Sequence, residues 1–295
     1  MNQHAPRHGA GAIVAKHESF LRYRGFRWLI IATVLSAVAI GLFAYLILVE
    51  HYRLRHFGGT WLGYTLGTIG AGFIVWLTLL GARKRMITAG HWTLKAWVSA
   101  HVYLGLSLIV IATLHSGFQF GWNIHTLAYA LMMIVILSGI FGITVYARLP
   151  TLLSENRGET TQKEMVEVIH SLDGRLLDAA QPLHEGHADI VRISLDETRI
   201  GGSLWERISG RHPKCATGAA YNKLSDARRG VRDEDGKPLD QVLGLLGQKS
   251  VTLAKARRHI RLRSMLEAWL YVHIPVTIAL LAALTAHIIS VFFYW

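Results

Sequence analysis

Five long apolar stretches decide what this chain can fold into. They run over about 28–49, 61–81, 96–118, 124–147 and 267–293. An α-helix rises about 1.5 Å per residue, so each is long enough to cross a hydrocarbon layer roughly 30 Å thick. Inside such a layer the backbone polar groups have no water, and helices satisfy them internally. The expectation is an all-α integral membrane protein built as a five-helix transmembrane bundle. One polar block interrupts the series between the fourth and fifth spans. The chain then divides into an N-terminal arm (1–27), spans one to four (28–147), an insertion (148–265) and span five (266–295).

The formal charge of +12 is placed at the ends of these stretches. Arg7, Lys16, Arg22, Arg24 and Arg27 precede the first. Arg83, Lys84, Arg85 and Lys95 lie between the second and third. Lys255, Arg257, Arg258, Arg261 and Arg263 close the insertion. The alternate connections carry only Arg53 and Arg55. This is a positive-inside distribution. It predicts a multi-pass protein of the cell inner membrane, with the arm and the insertion in the cytoplasm and the C-terminus in the periplasm. Basic residues that flank spans are partners for lipid and argue against nucleic acid. A single cysteine, Cys215, excludes an intrachain disulfide and a cysteine-ligated iron–sulfur cluster held by this chain alone. Residues 1–27 lack the form of a cleavable signal, so the first span reads as an uncleaved anchor.

Small residues mark the second and fourth spans. Gly59, Gly63 and Gly67 recur every four residues, and Ser138, Gly139 and Gly142 form a second group. Both predict close helix approach, and a flat cofactor against the first stripe is the alternative. Pro150 predicts the exit of the fourth span. In the insertion, residues 159–180 predict an amphipathic helix, 190–200 a strand followed by a turn at Gly201–Gly202, 208–237 a loop, and 239–265 a helix continuous with the fifth span. The insertion is expected to be a cytoplasmic α+β or partly ordered domain. It carries no phosphate loop or dinucleotide fingerprint.

The chain has 16 histidines. Those in polar sequence, including His184 and His187, read as surface residues. Four lie inside apolar stretches, where an ionisable side chain is costly and usually functional. His101 and His115 are 14 residues apart in the third span, and His273 and His287 are 14 apart in the fifth. Fourteen helical residues climb about 21 Å and turn through close to four whole turns, so each helix shows two imidazoles on nearly one face. The charge bias makes the two spans parallel. His101 then levels with His273 near the cytoplasmic face, and His115 with His287 near the outer face. Two stacked bis-histidine sites follow, suited to two haem b groups, with the four histidines as iron ligands. The weighed alternative is polar contact between helices. Each ligand's other ring nitrogen needs a partner, with Thr113, Thr277 and Ser290 as candidates. Lys95, Arg261 and Arg263 are candidates for propionates on the cytoplasmic side. His125 and Asn123 are candidates for a propionate or a quinone head group on the outer side.

The passages WVSAHVYLGLSLIVIATLHSGF and WLYVHIPVTIALLAALTAHIISVFFYW resemble the membrane di-haem cytochromes b. These comprise the cytochrome b of quinol–cytochrome c oxidoreductases, the b-type anchor subunits of respiratory complexes, and cytochrome b561 and ferric-reductase-like proteins. The resemblance covers spans three to five and leaves the 148–265 block uncovered. It implies electron transfer in a respiratory chain or similar system, with His101 and His273 on one haem and His115 and His287 on the other. The expected role is the membrane cytochrome b subunit of an oxidoreductase complex. It would link a quinone or outer acceptor to a flavin or iron–sulfur subunit docked on 148–265. Two other readings compete: a stand-alone transmembrane quinone or metal reductase, and a non-redox transporter or sensor with intramembrane histidines.

Overall fold

The computed structural model describes residues 19–51, 57–85, 93–155 and 162–293. Nine α-helices occur among them, with no strand. They are α1 (Arg27–Leu48), α2 (Trp61–Arg85), α3 (Leu94–His115), α4 (Ile124–Glu155), α5 (Gln162–Ala180), α6 (Glu185–Asp196), α7 (Leu204–Ser209), α8 (Thr217–Arg229) and α9 (Asp233–Phe293). A helix covers each of the five apolar stretches, and all five helices are long and apolar enough to cross a membrane. The described residues form two compact units, one of 19–137 with 275–293 and the other of 138–274.

In the first unit α3 is the central element, packed against both α1 and α2. Ala96, Ala100, Leu104, Leu108, Ile111 and Leu114 are buried along it. Ala39 and Leu46 of α1 and Leu62 and Leu66 of α2 close a core with Ile111, Leu114 and Phe57. Away from this core, Ile30, Val34 and Val38 of α1 are exposed. Polar side chains fix the helix starts. Thr93 Oγ1 accepts from the Ala96 N–H at 3.2 Å, and Asn123 Oδ1 accepts from the Thr126 N–H at 2.9 Å, satisfying amides that have no intrahelical acceptor.

The second unit is helical throughout its described residues, which corrects the expected α+β insertion. Residues 190–196 form most of α6, not a strand. Val191 and Ser194 are buried there while Ile193 is exposed. The buried face has the i, i+3 spacing of a helix. Its core position is held by a serine, which disguised the period. Residues 217–229, expected as loop, are α8, whose buried face is Thr217, Ala220 and Leu224. The unit is well packed. Leu172 and Leu176 of α5, Val191 of α6, Leu224 of α8 and Val242 and Leu246 of α9 share one core, and Met165, Ile169, Leu253 and Ala256 form another.

Lys249 is wholly buried in this unit. Its Nζ lies 2.6 Å from Asp173 Oδ1 and donates to Thr198 Oγ1 and the Ser194 carbonyl. The ammonium enters the core only because an opposite charge and two oxygens meet it.

Two helices run further than the apolar pattern suggests. α4 continues through Pro150 to Glu155, so the helix does not end there, although its apolar part of spanning length, Ile124–Tyr146, does end before Pro150. Proline keeps a helical φ and forfeits one hydrogen bond, which a helix tolerates at a cost. α9 is a single helix of 61 residues, about 90 Å long at the usual rise. Residues 239–265 and the fifth apolar stretch are both part of it, as the sequence predicts.

Candidate functional site

All four membrane histidines are half-buried, and each presents Nδ1 to a group on a neighbouring helix. On α3, His101 Nδ1 lies 3.1 Å from the Leu77 carbonyl oxygen, and His115 Nδ1 lies 2.7 Å from the Gly63 carbonyl oxygen. Both acceptors are on α2. A helical carbonyl already bonded within its helix keeps a second lone pair for such a donor. With Nδ1–H donating, the tautomer is set and the lone pair sits on Nε2.

The α2 glycine stripe makes one of these contacts physically accessible. A Cβ built on Gly67 would fall 2.7 Å from His115 Cε1 and 2.9 Å from its Nδ1. Only glycine lets the imidazole lie that close to the backbone. A Cβ on Gly63 would meet the Phe57 carbonyl oxygen at 2.3 Å. That stripe therefore packs against the Phe57–Gly59 turn at one position and cradles a histidine at the next.

On α9, His287 Nδ1 meets Nδ1 of His125, which projects from the first turn of α4. One ring donates and the other accepts. The His115 and His287 ring centroids are 6.0 Å apart at an interplanar angle of 87°, so the first unit does bring the outer expected pair together. In the second unit, His273 Nδ1 lies 2.7 Å from Ser138 Oγ. Gly139 faces the same ring, with a Cβ there at 3.7 Å from His273 Cε1. Trp269 packs flat on Gly142, where a Cβ would fall 2.3 Å from the indole, and its ring centroid is 5.3 Å from that of His273.

Two buried donors on the histidine helices have no hydrogen-bond partner. Ser99 Oγ lies two residues before His101 on α3, about 200° around the helix from it, and Trp269 Nε1 lies four residues before His273 on α9, on the same face. Leaving a buried donor unsatisfied costs about 1–3 kcal/mol. The indole N–H beside His273 is of the kind that a ligand carboxylate would satisfy.

The remaining candidates are placed as follows. Lys95 is exposed in the first turn of α3. Arg261 Nε donates to the Ile208 carbonyl at 2.8 Å, and Arg263 pairs with Glu267 at 3.0 Å. Asn123 is the cap of α4. His125 contacts His287. Thr113 Oγ1 bonds the Ile109 carbonyl and Tyr129 Oη, and Ser290 Oγ donates to the His287 carbonyl, so neither of these two hydroxyls bonds a histidine ring. The real partners of His101 and His115 are backbone carbonyls, which no side-chain pattern announces. Ser138 was visible only as part of a small-residue group. His184 and His187 stand at the start of α6 with ring centroids 6.5 Å apart. Among the described residues, no cluster of three or more histidine, cysteine or acidic side chains is gathered for a metal ion.

In the second unit Cys215 is half-buried beside Arg257, whose Nη2 lies 2.9 Å from Sγ. Burial pushes the thiol up, but a backbone hydrogen bond at Arg199, the Thr217 contacts and the guanidinium outweigh it and bring it to about 7. No family model, curated protein or solved structure matches this chain.

Proposed function

We propose that the chain is a membrane b-type cytochrome that carries electrons across the bilayer through two haems. The observation that carries this reading is the set of four intramembrane imidazoles, spaced 14 residues apart on two helices, each with Nδ1 held by a neighbouring helix. Such outer partners fix ring orientation and raise ligand basicity in metal sites. The donor set fits haem b. His101 and His273 would hold one group, and His115 and His287 the other. A bound haem supplies a one-electron couple whose potential its axial ligands help set.

The protein's own work is positional. The α2 carbonyls lock the two α3 imidazoles, Ser138 holds His273, and His125 holds His287. Gly67 clears the space that His115 occupies. Trp269 Nε1 would be a donor for a propionate beside His273. With both Nε2 lone pairs of a pair engaged, the two imidazoles would hold a haem for electron transfer rather than for oxygen chemistry.

The positive-inside bias supports an inner-membrane protein with the 148–265 unit in the cytoplasm. That unit is the place for a flavin or iron–sulfur subunit to dock, with a quinone or outer acceptor at the opposite face. The chain then serves as one subunit of a redox complex. The test is haem content. The purified protein is expected to show a reduced-minus-oxidised b-type α-band and two haems per chain. His101→Ala and His273→Ala each remove the same haem, and His115→Ala and His287→Ala the other. A well-folded protein without that band overturns the proposal.

A further inference from the structure

The segment between α6 and α8 is a loop with its two ends tied to one arginine. Arg257 of α9 donates to the Arg199 carbonyl and also contacts Cys215 Sγ. Between those ends the chain reaches further along α9, where Arg261 Nε donates to the Ile208 carbonyl and packs on Gly210. Arg261 is one helical turn closer than Arg257 to Trp269, where the apolar part of α9 begins. From Arg261 to Trp269 is eight residues, about 12 Å of helix. The excursion is thus directed along α9 toward the membrane edge and stops within reach of the headgroup layer.

Its tip is built for that layer. Ser203 and Glu206 form a capping box, and Gly210 at φ 70° ends the single turn-and-a-half of α7. Within this rigid frame Leu204 and Trp205 point outward, 57% and 76% exposed. Such side chains on a six-residue helix serve no core. Arg199, Arg207, Arg211 and Lys214 flank them in the same segment, all exposed. The segment's one carboxylate, Glu206, is engaged in the capping box. An exposed tryptophan and leucine within a basic collar match an anionic bilayer surface, with the indole at headgroup depth and the cations on lipid phosphates.

We propose that residues 199–215 are an interfacial anchor that seats the insertion, residues 148–265, on an anionic membrane surface. The anchor rests on the reading of α9 as a membrane span. In it, Leu204 and Trp205 enter the interface while Arg207, Arg211 and Lys214 bind lipid phosphate.

The test uses the full chain in vesicles containing no other protein, with Cys215→Ser as background and a nitroxide at one introduced cysteine. A label at Trp205→Cys is expected to collide with oxygen more than with an aqueous nickel chelate in phosphatidylglycerol-containing vesicles. It should turn aqueous in phosphatidylcholine alone or when Arg207 and Arg211 are both changed to glutamine. A label at the exposed Lys223→Cys on α8 remains aqueous throughout. A label at Ile278→Cys in the apolar part of α9 reports the span itself. If position 278 is oxygen-accessible and position 205 aqueous in every vesicle, the anchor is overturned and the span stands. If position 278 is also aqueous, the membrane reading fails first. Trypsin cleavage after Arg207 and Arg211 in the unlabelled native chain checks the label. Protection in anionic vesicles relative to detergent supports the anchor, and equal cleavage overturns it. Protection that appears only when a cytoplasmic protein is added makes the patch a protein-docking surface and likewise overturns it.

Discussion

Gly63 and Leu77 of α2 offer their carbonyl oxygens to His115 and His101, and the two acceptors are 14 residues apart, the same interval as the two histidines. The sums of the paired positions are equal, as an antiparallel pair of helices in register requires. α2 therefore repeats the histidine spacing in its backbone, where no residue type records it.

Gly67→Ala tests that register. The added methyl meets the His115 ring, so haem content is expected to fall from two per chain to one, read by pyridine haemochrome against protein. Gly72→Ala on the same helix meets nothing within 4 Å and retains both.

Trp269→Phe keeps an aromatic ring on Gly142 and deletes the unpartnered N–H. Helix content is expected to stay unchanged. The proposed haem at His273 is expected to be extracted faster by apomyoglobin. An unchanged extraction rate would remove this donor from the site.

Ser138→Ala removes the 2.7 Å partner of His273. Losing such an outer partner typically costs 10–100-fold in metal affinity, on the order of 1–3 kcal/mol. The imidazole becomes a poorer donor to ferric iron, so the midpoint potential of one haem is expected to rise. Ser138→Thr, which keeps the hydroxyl, restores it. Redox titration of the α-band separates this from loss of fold.

Lys249→Ala leaves Asp173 without its ion partner in the second unit, and breaking such a pair costs about 3–5 kcal/mol. Asp173 is 23% exposed, which places the expectation at the lower end. The Lys249→Met, Asp173→Leu double variant recovers most of it. Thermal melting of the full chain in detergent, followed by circular dichroism, checks both.

Cys215 titrates near 7, below an ordinary thiol, so alkylation by iodoacetamide is expected to rise with a midpoint near that pH. Arg257→Gln moves the midpoint upward. The depressed value also stabilises the fold at pH above the unfolded thiol's range, and that contribution is lost as pH falls through 7. A flat alkylation profile from pH 6 to 9 would contradict the assigned environment.

The five apolar helices were readable because crossing a bilayer demands about 20 apolar residues in a row, a requirement local sequence meets or fails outright. The four histidines were readable because a polar ring in such a run needs a reason. The insertion was less legible. Ile193 exposed and Ser194 buried reverse the expected polarity on α6, and a short apolar run fits a strand and a helix alike. Lys249 in the core belongs to the same class: its burial depends on Asp173, 76 positions away in the chain. The carbonyl partners of His101 and His115 have no sequence signature beyond the glycines that let them be reached.

The continuity of α9 has a consequence for how this chain can vary in length. Val242 and Leu246 face the helical core of the second unit, and His273 is on the same unbroken helix. One residue inserted between Leu246 and His273 would rotate everything after it by about 100°. Viable insertions or deletions in that interval should therefore come in near-whole turns, seven residues at a time. Shorter ones would force the chain to give up either the core face or the histidine.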